Sequence, residues 1–214
     1  MKKIREQKMK GLTIIEMMMA IFIFTAGMVG FTLLFSRTWQ SNSSTLKMGQ
    51  ASLSASQGVS KMVDYLRKAR QADNGSYPIK SADSDNLVVY SDYNKDGITE
   101  RLHFYQSGQN ILMGVTSPTA TFPKTYPEAN QEIINLASGV MNTSELPIFY
   151  YYNKDYPGDE ENNPLDTPVS SHISDIRLIK IYLEVNTVPI QASNNIKMQS
   201  FVEMRNLNDY NQVQ

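Results

Sequence analysis

Two short stretches hold residues whose types and spacing could do chemistry. The first is built around one carboxylate, Glu16, at the mouth of a run in which no Asp, Glu, Lys, Arg or His occurs before Arg37. A charge in a bilayer is costly, by about 2.5–3.5 kcal/mol at the centre and less toward the surface. Such a carboxylate either finds a partner or sits idle among headgroups. The second stretch is Asp92-Tyr93-Asn94-Lys95-Asp96-Gly97-Ile98-Thr99-Glu100. Oxygen ligands at every second position with Gly at the sixth are how an EF-hand-like calcium loop begins. Asp92, Asn94, Asp96 and Glu100 are therefore candidate ligands and calcium the candidate cofactor. The twelfth position is His103, not the bidentate Glu of such loops, and Asp96-Gly97 between two strand-like runs also reads as a plain hairpin turn. Asp155, Asp159, Glu160 and Glu161 form a weaker calcium candidate.

Most other chemistry is excluded by composition. With no Cys there is no disulfide, thiolate metal site or Cys nucleophile. The only two His, His103 and His172, stand far apart in the chain and fit no catalytic motif, and no Gly-rich nucleotide loop occurs. An enzyme is not expected. Nor is nucleic acid an expected partner, because the net charge is −1, or −5 without the basic leader, and the electrostatic term opposes binding.

The elements that must position these residues begin with the uncharged run 17–36, MMMAIFIFTAGMVGFTLLFS. As a helix it spans about 30 Å, the hydrocarbon thickness of a bilayer. Ahead of it lie Lys2, Lys3, Arg5, Lys8 and Lys10 against Glu6 alone. Positive residues hold that end in the cytoplasm, so the C-terminal bulk is expected outside the membrane. A cleavable secretory signal fits poorly, since its apolar core is about 7–15 residues and ends in small residues. The end here is Leu33-Leu34-Phe35-Ser36-Arg37.

The letters around Glu16 narrow this further. Lys10-Gly11-Leu12-Thr13-Ile14-Ile15-Glu16 resembles the prepilin processing signal of type IV pilins and type II secretion pseudopilins. That family has a short basic leader ending in Gly, then an apolar residue, often Thr or Ser, two aliphatics, and Glu as the fifth mature residue. The resemblance implies cleavage between Gly11 and Leu12 by prepilin peptidase and N-methylation of Leu12. It implies that Glu16 acts in assembly, meeting the new amine of Leu12 on a neighbouring subunit. The implied partners are other pilin or pseudopilin subunits, an inner-membrane assembly platform and the lipid bilayer.

Beyond the span, residues 37–72 contain no Pro, and Trp39, Leu46, Leu53, Val59, Met62, Val63 and Leu66 fall at helical spacing. The spacing predicts a helix running to about Ala72, its apolar stripe packed on the rest of the chain. Arg67, Lys68 and Arg70 suit its last turn, read as a solvated helix end, with Asn74-Gly75 as its cap. The remainder reads as strands: 87–91, 99–106 and 111–116 as an antiparallel meander, then 146–152, 175–185 and 196–205. Residues 117–145 read as a long loop with one short element near 132–137. Ile179, Ile181, Leu183 and Val185 share one face, which needs a cover.

The expected fold class is α+β: a long N-terminal helix, its first half transmembrane and its second amphipathic, packed on antiparallel β-sheet in a pilin-like way. The expected organisation is a cleaved basic leader (1–11), a transmembrane and assembly helix (12–36), an amphipathic helix (37–72) and an extracytoplasmic β domain (73–214). Within the family, Phe149-Tyr150-Tyr151-Tyr152 before an acidic loop and Glu203-Met204-Arg205-Asn206 at the end are most similar to large J-type pseudopilins and W-type minor pilins. The expected function is a non-enzymatic minor subunit of a pilus or pseudopilus, located in the inner membrane and then the filament. The alternative is an unprocessed, signal-anchored extracytoplasmic binding or sensor domain.

Overall fold

The structure is a computed structural model, and it describes residues 11, 13–169, 172–186 and 195–208. Residues 1–10 of the basic leader and Leu12 therefore lie outside the described residues.

The chain is α+β: one long N-terminal helix and two antiparallel sheets. Helix α1 runs Ile14–Arg67. The first sheet has the order β1-β2-β3-β4-β5, from Ile79–Ala82, Asn86–Ser91, Glu100–Ser107, Asn110–Thr116 and Glu132–Ser138. The second has the order β6-β7-β8, from Phe149–Tyr152, Leu178–Val185 and Ile196–Glu203. A four-residue helix α2, Arg205–Asn208, follows. By contacts the chain divides into two compact units, Met1–Leu46 and Lys47–Gln214.

In the first unit α1 is the one described element. Its most apolar window reaches a mean hydropathy of 2.2, so α1 is long and apolar enough to cross a membrane by length and composition. From Ile14 to Leu46 every Ile, Leu, Met, Phe, Val and Trp is at least 56% exposed.

In the second unit the end of α1 joins one continuous core with both sheets. Its contacts are Ala55, Val59, Met62, Val63 and Leu66. Leu87, Val89, Leu102, Phe104 and Ile111 face it from the first sheet, and Phe149, Tyr151, Ile179, Ile181, Leu183 and Val185 from the second. The four aliphatics of β7 are fully buried, as their alternation requires. Gly58 sets how close the helix comes: a Cβ there would lie 2.3 Å from the Leu136 carbonyl oxygen. The sheets are also stitched by polar groups. Asn142 donates through Nδ2 to Leu146 O and Tyr182 O and accepts the Glu184 amide through Oδ1. Tyr151 donates its hydroxyl to Asp83 O at 2.7 Å.

Four expectations need correction. The apolar stripe is not buried along its length: Trp39, Leu46 and Leu53 are 60% exposed or more, and packing onto the core begins at Ala51 and Ala55. The helix stops at Arg67, short of Ala72, because the chain swings away to pair with β2: Lys68 N and Ala69 N close onto Tyr65 O and Leu66 O, and Arg70 N donates to Tyr90 O. Gly75 accordingly closes a separate turn, donating to Ala72 O, and does not cap α1. The last segment ends as a strand at Glu203 and continues as α2. Strand β1 was not foreseen; Ile79-Lys80-Ser81-Ala82 carries a single large apolar residue.

Candidate functional site

At the N-terminus, Gly11 is exposed, with nothing within 4 Å of the position a Cβ would take. Thr13 then starts α1 as its N-cap, and Glu16 is the third helical residue. The Thr13 amide and hydroxyl both donate to Glu16 Oε2 at 2.8 Å, and the Glu16 amide donates back to Thr13 Oγ1 at 3.4 Å. This is the reciprocal capping box of S/T-x-x-E, which satisfies donors a helix start otherwise leaves open. Glu16 thus has a partner inside its own chain, which the reading of it as a lone carboxylate missed. The signal was in the sequence, because Thr13-Ile14-Ile15-Glu16 has the capping-box spacing. Cleavage between Gly11 and Leu12 would leave the Thr13 amide intact, so the box and a new amine at Leu12 can coexist.

Between β2 and β3, residues 92–99 form a loop closed by its own groups. Asp92 Oδ2 accepts the Gly97 amide, Asn94 Oδ1 the Asp96 amide and Asp96 Oδ1 the Ile98 amide. Glu100, the fourth candidate ligand, is the first residue of β3, is 2% exposed and accepts the Tyr93 amide at 2.9 Å. Burial raises its carboxyl above the ordinary range, and Asp96 and Asp92 nearby push the same way. The charge that closes the loop is Arg70. Its Nη2 donates to Gly97 O at 2.8 Å and stands 3.6 Å from Asp92 Oδ2, while its Nε donates to Thr99 Oγ1. The basic trio therefore divides: Arg67 and Lys68 are exposed, and Arg70 is structural. Among the described residues no three His, Asp or Glu side chains, Asp92, Asp96 and Glu100 included, converge as metal ligands would. In the weaker candidate, Asp159 accepts from the amide and side chain of Asn162.

Residues 117–131, read as an unstructured connection, fold back over the outer face of the first sheet. Tyr126 packs its ring against Tyr90, tilted by 54° at 5.0 Å between centroids, and donates its hydroxyl to Thr99 O at 2.6 Å. Burial pushes that phenol up to about 12. Asn130 rests against β4 at Gly114, where a Cβ would sit 2.2 Å from the Asn130 side chain. The buried Arg101 donates to Glu128 O at 2.7 Å and to Thr116 Oγ1 at 3.1 Å. Nothing in the sequence pattern marked this clamp, because it is made of single side chains reaching backbone carbonyls.

No family model, curated protein or solved structure matches this chain.

Proposed function

We propose that the chain is a minor pilin or pseudopilin subunit, cut between Gly11 and Leu12 by a prepilin peptidase, held by α1 in the inner membrane and assembled through α1 into a filament. The observation that carries this reading is the exposure of the apolar surface from Ile14 to Leu46, which continues to Leu53 past the uncharged run. A bilayer accounts for about twenty residues of it. Trp39, Leu46 and Leu53 lie beyond the span at seven-residue steps, the spacing that keeps one seam of a helix facing another helix. A solitary membrane anchor has no need of that extension; packing among helices of neighbouring subunits does.

The Thr13–Glu16 box supports the reading in a second way. It fixes the carboxylate at the helix start before any neighbour arrives, so the amine of an incoming Leu12 meets a group already in position. The alternating sheets and the core at the end of α1 supply the extracytoplasmic body.

The test is the N-terminus of the mature protein from its native membrane. The expected product starts at Leu12, and Gly11→Val accumulates a form eleven residues longer. An intact Met1 on the wild-type protein would overturn the proposal and leave a signal-anchored extracytoplasmic domain. Crosslinking between Cys residues introduced beside Trp39 and Leu46 tests the assembly step. It should trap subunit pairs in membranes, and Glu16→Gln should reduce them about a hundredfold or more, as expected when one side of a low-dielectric charge pair is removed.

A further inference from the structure

On the outer face of the first sheet lies a cleft of about 200 Å³ lined by Lys80, Ser81, Asn86, Arg101, His103 and Glu128. Its electrostatics are unbalanced. Arg101 is a guanidinium whose side chain is 3% exposed, and burying such a charge requires a close counter-charge. Among the described residues its one carboxylate neighbour is Glu128, at 3.6 Å from Nη1, and the Glu128 side chain is 85% exposed. Lys80 Nζ holds the other Glu128 oxygen at 3.0 Å. One carboxylate reaching in from solvent is thus shared between two cations.

The rest of the cleft adds donors without charge. His103 Nε2 lies 2.9 Å from Asn86 Oδ1, and its Nδ1 faces the Asn130 Nδ2 at 3.5 Å. These partners assign the neutral tautomer with hydrogen on Nε2. Burial lowers the imidazole below its ordinary range, with Arg101 and Lys80 acting in the same direction. The attachment of the 117–131 segment does not depend on the Glu128 side chain, since Arg101 grips its backbone carbonyl. The carboxylate can leave while the loop stays.

We propose that this cleft is a carboxylate receptor, occupied in the resting chain by Glu128 and open to an acidic side chain of a partner protein that displaces it. The occupant seen is itself a side-chain carboxylate on an exposed loop, which is the chemistry the cleft is shaped to hold. Arg101 Nη2 is committed to Glu128 O and Thr116 Oγ1, so Nη1 alone faces the carboxylate, and Lys80 supplies a mobile point charge for its second oxygen at the rim.

The experiment uses the full chain in uncharged detergent micelles, titrated with glutarate or with inorganic phosphate at constant ionic strength and followed by the chemical shifts of the His103 ring. Glu128→Gln removes the competing charge and keeps the loop's backbone contacts. It should bind glutarate at least tenfold tighter than the wild type. Adding Lys80→Gln to that variant should cost at least tenfold. Equal glutarate binding by wild type and Glu128→Gln would overturn the proposal, as would indifference to Lys80. Tenfold preference for phosphate would overturn an acidic side chain as the occupant and leave a free oxyanion site.

Discussion

Along α1 two stretches of one helix behave in opposite ways. From Ile14 to Leu46 the large apolar side chains are all exposed, whereas Ala55, Met62 and Leu66, on the same helix, are no more than 1% exposed. The exposed stretch is apolar all round, whereas the buried one is apolar along a single stripe between Ser, Lys and Asp, so the more hydrophobic surface is not the one in the core. What differs is the contact surface. The exposed stretch is rich in Phe, Met and Ile. The buried one meets the sheets through Ala51, Ala55 and Gly58, which let the backbone approach before Met62 and Leu66 fill the space behind. A surface made of large side chains is suited to a deformable surrounding such as lipid or other helices. One made of small residues has been fitted to a particular partner.

The comparison can be broken most forcefully by emptying the core. Phe104→Ala removes a fully buried ring from β3 and should cost about 3–5 kcal/mol. Phe24→Ala in the exposed stretch should leave the urea midpoint of the detergent-solubilised chain unchanged. A comparable loss from both would mean that the exposed stretch is folded against something in the same chain. A finer cut uses one substitution at two places. Gly58→Ala must push α1 away from the Leu136 carbonyl, an overpacking worth about 1–3 kcal/mol. Gly30→Ala meets nothing within 4 Å and should stabilise its helix by up to about 1 kcal/mol, since Gly is the poorer helix former. Opposite signs in thermal melts and in helix content are the expected result.

A smaller effect should appear with pH. His103 is held neutral by burial, so its proton affinity is lower in the folded chain than in the unfolded one. The unfolded state then takes up more protons, and stability present above about pH 6.5 declines as the pH falls toward the lowered folded value. Glu100, raised by burial, works in the other direction at lower pH. Melting His103→Gln beside the wild type between pH 7.5 and 5.5 isolates the first contribution; parallel curves would refute it. The smallest expected effect is that of calcium. With Arg70 closing the 92–99 loop, millimolar calcium should leave the melting temperature where it was. A clear rise would show that an ion displaces Arg70 from Asp92.

How much of this was legible follows the range of the signals. Most of strand β7 could be read, because Ile179, Ile181, Leu183 and Val185 alternate with polar neighbours, but its start could not: the strand begins at Leu178, and Asp175, read as its first residue, ends a 3-10 turn. The meander β2-β3-β4 could be read from its turns. Strand β1 could not, because four residues with one large apolar side chain carry no period. The stripe of α1 was read as apolar, correctly, but periodicity reports which face is apolar and not what covers it; hence Trp39, Leu46 and Leu53 were assigned to the wrong partner. At the candidate site Gly11 and Glu16 stood out by type and spacing. The role of Thr13 did not, because an uncharged hydroxyl three residues before Glu16 is marked only by its spacing. The Arg101 cleft was invisible, since it joins β1, β3 and a residue 27 positions beyond Arg101 that no local pattern connects.

One contact also sets a clock. Asn206 Nδ2 donates to Ala69 O at 2.8 Å, tying the chain just past α1 to a residue 137 positions later. Strand β8, which completes the second sheet, is likewise made long after α1. At about 5–20 residues per second of synthesis, roughly 7–27 s separate the emergence of these two partners. Through that interval Ala55, Met62 and Leu66 have been synthesised, but the surface that will bury them is incomplete. The newborn chain therefore presents a second adhesive segment, adjoining the one that stays exposed in the finished fold. A holding factor would have its greatest hold on the chain in those seconds, before β8 arrives.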